Sequence, residues 1–174
     1  MAVVLMIAIM AIVTMPLLQN QVAVREIETI ARRFIAHAHF ARQQALHLGE
    51  PVRIAPPLAG AWDAGWEVSS NCLKGSGKSS LAQADCTQKI WITQGVIAPI
   101  FFRGGGRHFV DPHSGKTSVV FNPAGAAKTA QGGFVANRLI LGHRKVQGLE
   151  RQLILGSGGR WRICDPARDA KRCH

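Results

Sequence analysis

The first eighteen residues lack any charged side chain, and Thr14 is their single polar residue. As a helix they would extend over roughly 27 Å, which just matches the hydrocarbon core of a bilayer. A cleaved signal peptide needs a cationic stretch before its apolar run and small residues at a cut site, and neither is present. Residues 1–19 are therefore predicted to form a transmembrane anchor, with a buried core helix as the alternative. Pro16 lies inside this run, where a kink or local melting is expected.

The sequence also lacks the usual marks of catalysis. It has no Ser/His/Asp order with nucleophile-elbow glycines, no metal-ligand spacing and no clustered carboxylate pair. Gly77-Lys78-Ser79 and Gly115-Lys116-Thr117 match the end of a phosphate-binding loop, but Cys72 and Val110 replace its first glycine. His37 and His39 would point to different faces of a helix, so they do not form a chelating pair. These absences predict a non-enzymatic protein without metal or cofactor.

Acidic residues are scarce. The chain has 21 lysines and arginines against 10 acidic residues, a net charge of +11. Before Phe101 there are 8 basic and 6 acidic residues, a net +2, and from Phe101 onward 13 and 4, a net +9. Such asymmetry is typical of a surface that meets a polyanion, either nucleic acid or an anionic membrane. A general solubility bias is the alternative reading.

A second helical period follows the apolar run without a turn signal. Apolar residues recur at steps of three and four, with most arginines between them, so one helix face is predicted to pack on a core. These apolar positions are Ile27, Ile30, Ala31, Phe34, Ala38, Ala41, Ala45 and Leu48. Gly49 and Pro51 predict that the helix ends between His47 and Gly49.

Beyond Pro51 the pattern changes to short alternating runs separated by glycine, proline, asparagine and serine, which indicates antiparallel sheet. The expected strands are Val52 to Ile54, Gly65 to Ser69, Lys89 to Ile92, Ile100 to Arg103, Ser118 to Asn122, Asn137 to Gly142, Arg151 to Leu155 and Arg160 to Cys164. Long loops are expected at 71–85 and 104–116. The predicted fold class is α+β, with residues 20–174 forming one head that includes the amphipathic helix to about residue 48.

The four cysteines fall into two pairs of modest separation. In a head outside the cytoplasm they predict two local disulfides, Cys72 with Cys86 and Cys164 with Cys173, although four cysteines allow three connectivities. Zinc bound by Cys164, Cys173 and His174 is the rival, but no C-x-x-C spacing supports it.

This layout resembles the type IV pilins and pseudopilins, in the branch that contains the minor pilin FimT and the type II secretion pseudopilin GspH. Four segments carry the resemblance over nearly the whole chain. The branch's A-R-x-x-A pattern at the helix end resembles Ala41-Arg42-Gln43-Gln44-Ala45, and its G-W-x-V strand resembles Gly65-Trp66-Glu67-Val68. Its F-x-P-x-G turn resembles Phe121-Asn122-Pro123-Ala124-Gly125, and the G-R-x-R sequence of FimT resembles Gly159-Arg160-Trp161-Arg162.

The resemblance implies a minor pilin in the inner membrane, with its head in the periplasm and other pilins as partners. It also implies that the head binds double-stranded DNA for uptake in natural transformation through Arg160 and Arg162. On a strand these arginines would share one face, and Gly158-Gly159 would let the DNA backbone approach; a merely solvated strand face is the alternative. Further contributors are expected in loops and the tail, namely Arg103, Arg107, Arg168, Lys171 and Arg172.

The sequence departs from the family pattern at its N-terminus. The family's leader, with a Gly-Phe cleavage point and a glutamate soon after it, is absent, and we expect a start upstream of Met1 rather than a copy that cannot be processed. Two alternative functions also stay open, a GspH-like pseudopilin of a type II secretion system and a purely structural minor pilin that primes assembly.

Overall fold

A computed structural model describes residues 2–58, 60–71, 88–104, 117–127, 137–156 and 158–173, without the side chains of residues 2–17 and of Arg172. Its helix α1, Ala2–Leu48, stops at Gly49, whose φ of 68° closes the last turn with an N–H donated to the Ala45 carbonyl at 3.1 Å. The predicted helix end is confirmed. The backbone stays helical through Pro16, so the expected local melting does not occur.

Within the described residues, no helical segment has both the length and the hydropathy of a bilayer span.

The described residues after the helix form eight strands, and each strand begins and ends within two residues of its predicted ends. They are β1 Val52–Ala55, β2 Trp66–Ser70, β3 Ile90–Gln94, β4 Ile100–Gly104, β5 Val119–Phe121, β6 Asn137–His143, β7 Glu150–Leu155 and β8 Trp161–Cys164. Two short 3-10 helices lie at Trp62–Ala64 and Ala170–Cys173. One long helix followed by antiparallel strands confirms the α+β prediction.

The strands form two four-stranded antiparallel sheets. The first sheet has the order β3-β2-β1-β5, and the second sheet has the order β4-β6-β7-β8. The pairing of β2 with β3 shifts register between Val68 and Ser69. Because β6, β7 and β8 are consecutive neighbours, short connections suffice to build the second sheet.

The core lies between one face of α1 and the inner faces of both sheets. Alanines dominate that helix face, so the strands can approach it closely, and Phe34 is its largest side chain. The Phe34 ring meets Trp62, Trp66 and Trp161 edge-to-face, with ring centroids 5.5, 5.1 and 5.2 Å away. Each such pair is worth about 0.5–1.5 kcal/mol beyond burial. The buried helix residues are Ala23, Ile27, Ala31, Phe34, Ala38, Ala41 and Ala45.

One predicted helix position needs correction. Ile30 is partly buried and packs against the core, as predicted, but Leu48 is 46% exposed because it is the last residue of α1. The prediction treated the apolar period as continuous to the last residue.

One of the two predicted disulfides lies within the described residues, and the other lies outside them. Cys164 and Cys173 form a disulfide with their Cα atoms 5.5 Å apart, which is the predicted pairing and leaves no thiolates there for zinc. Cys72 and Cys86 lie outside the described residues, as do Arg107, His174 and nearly all of both predicted long loops. Their pairing stays a prediction.

Candidate nucleic-acid interface

The two candidate arginines flank a buried tryptophan at the start of β8. Trp161 is 7% exposed and packs on Phe34, whereas Arg160, just before the strand, and Arg162 within it are exposed. Alternation along a strand therefore directs both arginines to the outer face of the second sheet. The anchored tryptophan holds the backbone between them in place.

The hairpin that joins β7 to β8 sets the position of Arg160. The Gly156 N–H donates to the Arg160 carbonyl at 2.8 Å, and the Gly159 N–H donates to the Gly156 carbonyl at 2.9 Å. Gly159 has a φ of 75° and is buried, and a Cβ on it would lie 2.6 Å from the Gly125 carbonyl oxygen. This corrects the expectation that Gly159 faces DNA, because its Cα faces the turn at Gly125 instead. Gly158 is the exposed glycine of the pair.

The other residues predicted to contribute to DNA binding lie partly on a strand and partly in the C-terminal tail. Arg103 lies on strand β4 rather than in a loop, and its guanidinium forms an ion pair with Glu150. Arg168 is exposed in the tail and lies 3.7 Å from the Asp165 carboxylate, and Lys171 is exposed nearby. The positive charge of Arg103 and of Arg168 is thus partly balanced by a carboxylate.

Sequence reasoning missed Arg138. The pairing register puts Arg138 of β6 directly opposite Ile154 of β7, and Ile154 directly opposite Arg162 of β8. Arg138 is exposed, and within the described part of the chain no carboxylate forms an ion pair with it. Alternation along the predicted strand would have placed Arg138 and Ile140 on the same face of the sheet. That Arg162 shares this face follows only from the pairing register of β6 with β7 and of β7 with β8. We call Arg138, Arg160 and Arg162 the distal basic cluster.

The cluster lies at the end of the head where α1 finishes. The Cβ position at Gly159 is 3.5 Å from Nε of Arg42, which is six residues before the helix end. Residue 19, where the predicted anchor ends, is 23 residues earlier, or about 35 Å along the helix axis at 1.5 Å per residue. The distal basic cluster is therefore far from the predicted membrane surface.

The opposite end of the second sheet is tied to the helix by partly buried charges. Arg151, whose side chain is 7% exposed, lies 3.5 Å from Glu28 and 3.2 Å from Asp165. His143 accepts the Lys145 N–H on Nδ1 at 3.3 Å, so its Nε2 carries the proton that is donated to Glu26 at 2.9 Å. These contacts fix the sheet on α1, and they place the beginning of the tail near Glu28.

His37 is part of the interface between α1 and the first sheet. Its Nδ1 accepts a hydrogen bond from Nε1 of Trp66 at 3.0 Å. Burial, and then the positive charge of Arg33, lower the pKa of His37 from its ordinary value of 6.5. No group of three or more metal-ligating side chains is present in the part of the chain that the structure describes.

Comparison with known proteins decides the family. Residues 31–173 match the family model described as type II transport protein GspH. The chain belongs to this family. No curated protein matches the sequence.

Solved structures of a minor pilin and a minor pseudopilin share the fold of this family member. The type IV minor pilin FimU of Pseudomonas aeruginosa superimposes with a TM-score of 0.55 at 13% identity, covering 84% of this chain and 99% of FimU. The minor pseudopilin EpsH of the Vibrio cholerae type 2 secretion system gives a TM-score of 0.55 at 9% identity, covering 82% and 99%. At such identities the likeness shows the fold alone, which is that of minor pilins and pseudopilins.

Proposed function

We propose that this GspH-family protein is a minor pilin of a type IV pilus whose head binds double-stranded DNA without sequence specificity, for uptake in natural transformation. It acts by binding and assembly and catalyses no reaction. The observation that carries the proposal is the exposure of Arg160 and Arg162 on one side of the buried Trp161. Two guanidiniums about 7 Å apart on a rigid strand can engage neighbouring phosphates.

The proposal extends to the location of the protein. Residues 1–19 anchor it in the inner membrane, the head lies in the periplasm, and α1 packs with the helices of other pilins. Leu18 and Val22 are exposed one turn apart and directly precede the buried Ala23. Their exposure supports a helix surface that is left for such partners. The disulfide between Cys164 and Cys173 supports an oxidising compartment.

The deciding experiment titrates labelled duplexes of unrelated sequence with the full chain at several salt concentrations. Changing Arg160 and Arg162 together to Gln removes two charges from exposed positions, so the fold should survive. The slope of log affinity against log salt should shrink by about 1.8 if each arginine neutralises one phosphate. Lysines at both positions should restore part of the affinity but not the bidentate geometry. Binding that the double Gln variant leaves unchanged would reject the proposal.

A structural subunit is the second candidate. The family model is named for GspH, and EpsH, which shares the fold, is a pseudopilin, so a place in a type II secretion pseudopilus is supported directly by these comparisons. This candidate gives the net charge of +9 after residue 100 no role. Failure of the unchanged protein to bind DNA at low salt would favour it.

A further inference from the structure

We propose that the disulfide between Cys164 and Cys173 positions part of the nucleic-acid site, by holding the C-terminal tail so that Lys171 shares one phosphate-binding surface with Arg160 and Arg162. This inference rests on the proposed function, because it concerns how the same site is built. It adds a phosphate contact from the tail and makes that contact depend on the disulfide.

The first step is the face of the sheet on which the disulfide lies. Arg162 and Cys164 are two residues apart on β8, so alternation directs both side chains to the outer face of the second sheet. Their Cα atoms are about 7 Å apart. Cys164 is only 6% exposed, because the tail, whose 3-10 helix Ala170–Cys173 contacts β8, packs over it. The disulfide therefore fixes the tail on the face that carries Arg162.

The second step is the path of the tail. The tail leaves β8 at Asp165 and turns back on itself, since the Asp169 N–H donates to the Asp165 carbonyl at 2.9 Å. The Asp169 carbonyl oxygen lies 3.6 Å from Sγ of Cys164 and 3.4 Å from Sγ of Cys173. The tail is thus a compact turn that is closed at the disulfide and lies beside Arg162.

The third step is the distance between Lys171 and Arg162. The Cα atoms of Cys164 and Cys173 are 5.5 Å apart, and Lys171 is two residues before Cys173, at no more than about 7.6 Å. With about 7 Å between Cys164 and Arg162, the Cα atoms of Lys171 and Arg162 are at most about 20 Å apart. Duplex DNA carries about one phosphate charge per 1.7 Å of its axis, so one short duplex can present phosphates to both side chains.

The fourth step is the arrangement of charge in the tail. Its described basic side chains, Arg168 and Lys171, are exposed, whereas its carboxylates, Asp165 and Asp169, are partly buried. Arg168 lies 3.7 Å from the Asp165 carboxylate, and both Asp169 and Arg162 have an interaction of their own within the protein. No ion pair between described residues involves Lys171. Lys171 is therefore the tail side chain best placed to contact a phosphate.

The disulfide matters because the ordering of a free tail would oppose binding. Residues 166–173 would lose conformational freedom each time that Lys171 engaged a phosphate, and this entropic cost would lower the affinity. In the disulfide-bonded protein the tail is already ordered, and Lys171 stays near the arginines. Opening the disulfide should remove most of the contribution of Lys171 to binding and leave those of Arg160 and Arg162.

The test is a double-mutant cycle on the full-length protein, with one labelled duplex between about 50 and 200 mM salt. Its variants are Lys171→Gln, the replacement of Cys164 and Cys173 by serine, and the combination of the two. Serine is used because reductant would also open the predicted pairing of Cys72 with Cys86. We expect Lys171→Gln to reduce the slope of log affinity against log salt by about 0.9, the serine variant to lose a similar amount, and the combination to lose little more.

The matched control is Lys89→Gln, which removes the same charge from an exposed position. Lys89 directly precedes β3, the edge strand of the first sheet, and so it lies away from the outer face of the second sheet. Its loss should leave the slope within error. Circular dichroism of each variant at the temperature of the titration checks that the fold is retained.

The outcomes separate the two proposals. If the serine variant keeps the slope of the unchanged protein, or if Lys171→Gln behaves like Lys89→Gln, DNA binding stands and the role of the tail is rejected. Equal losses from Lys171→Gln with and without the disulfide also reject it, because the contact would then not depend on the disulfide. Tighter binding by the serine variant would reject it too, and would mean that the tail shields the arginines. If the unchanged protein fails to bind duplexes, the proposed function itself fails.

Discussion

Arg42 on α1 donates a hydrogen bond from Nε to the carbonyl oxygen of Gly125, 2.7 Å away and 83 residues later in the chain. Gly159 packs against the same carbonyl, since a Cβ added to it would approach that oxygen to 2.6 Å. Three segments that the sequence shows separately, the helix end, the turn at Gly125 and the start of β8, thus meet at one point. The contact holds the backbone that leads directly into Arg160.

We expect the Arg42 hydrogen bond to stabilise the head. Arg42→Met keeps most of the stem and removes the donor, which leaves the partly buried Gly125 carbonyl without a charged partner. The free energy of unfolding should fall by about 1.5–3 kcal/mol, the usual worth of a hydrogen bond to a charged group. Denaturant titration of the full chain measures it.

The control for this prediction is Arg32→Met on the same helix. Arg32 is exposed and pairs with Glu28 across one turn at 3.7 Å, a contact worth about 0.3–0.5 kcal/mol. Equal losses in both variants would contradict a specific role for the contact between Arg42 and Gly125.

The two adjacent glycines before Arg160 should respond differently to alanine. Gly159→Ala introduces a side chain at a φ of 75° and against the Gly125 carbonyl, whereas a Cβ on Gly158 meets nothing within 4 Å. A non-glycine residue in the left-handed region costs about 1–2 kcal/mol, and the steric conflict adds to this. Thermal unfolding of both variants decides the point, and a Gly158→Ala variant that is as destabilised as Gly159→Ala would contradict it.

Much of the fold could be predicted because local chemistry determines it. The helical period identified the buried face from Ile27 to Ala45, and alternation with turn residues located all eight strands. The reading of Arg160, Trp161 and Arg162 as exposed, buried and exposed also follows from alternation alone. Each of these predictions needs only the residues within one element.

The errors and omissions involve contacts between distant segments. Gly159 was expected to face a ligand, but its neighbour is Gly125, and no local pattern indicates that approach. Arg138 was missed because its importance depends on the register of β6 with β7 and of β7 with β8. Arg103 was expected in a loop as a contributor to binding, but it lies on β4, and its pairing with Glu150 likewise depends on which strands are adjacent.

The tail disulfide should stabilise the end of β8. Replacing Cys164 and Cys173 together by serine opens a bridge between residues 9 apart in sequence, and the loss should be on the order of 2–3 kcal/mol. Denaturant unfolding with and without reductant gives the difference. Non-reducing peptide mapping of the unchanged protein tests the pairing of Cys164 with Cys173 and, in the same digest, the predicted pairing of Cys72 with Cys86. A peptide that links Cys72 to Cys164 would refute both.

The hydrogen bond between His37 and Trp66 should make stability depend on pH. Burial and the charge of Arg33 lower the pKa of His37 in the folded protein below 6.5, so the unfolded chain takes up a proton more readily than the folded one. Stability from this residue is therefore fully present above pH 6.5 and is lost as the pH falls below it, through the folded pKa. Once protonated on both nitrogens, His37 cannot accept the Trp66 N–H.

Free energies of unfolding measured between about pH 8 and pH 4 would reveal this component. His37→Gln keeps an acceptor for Trp66 but does not titrate, so the difference between its pH profile and that of the unchanged protein isolates His37. His39→Gln, two residues along the same helix, should retain the His37 component. Parallel profiles for the unchanged protein and His37→Gln would show that the Trp66 hydrogen bond does not respond to pH.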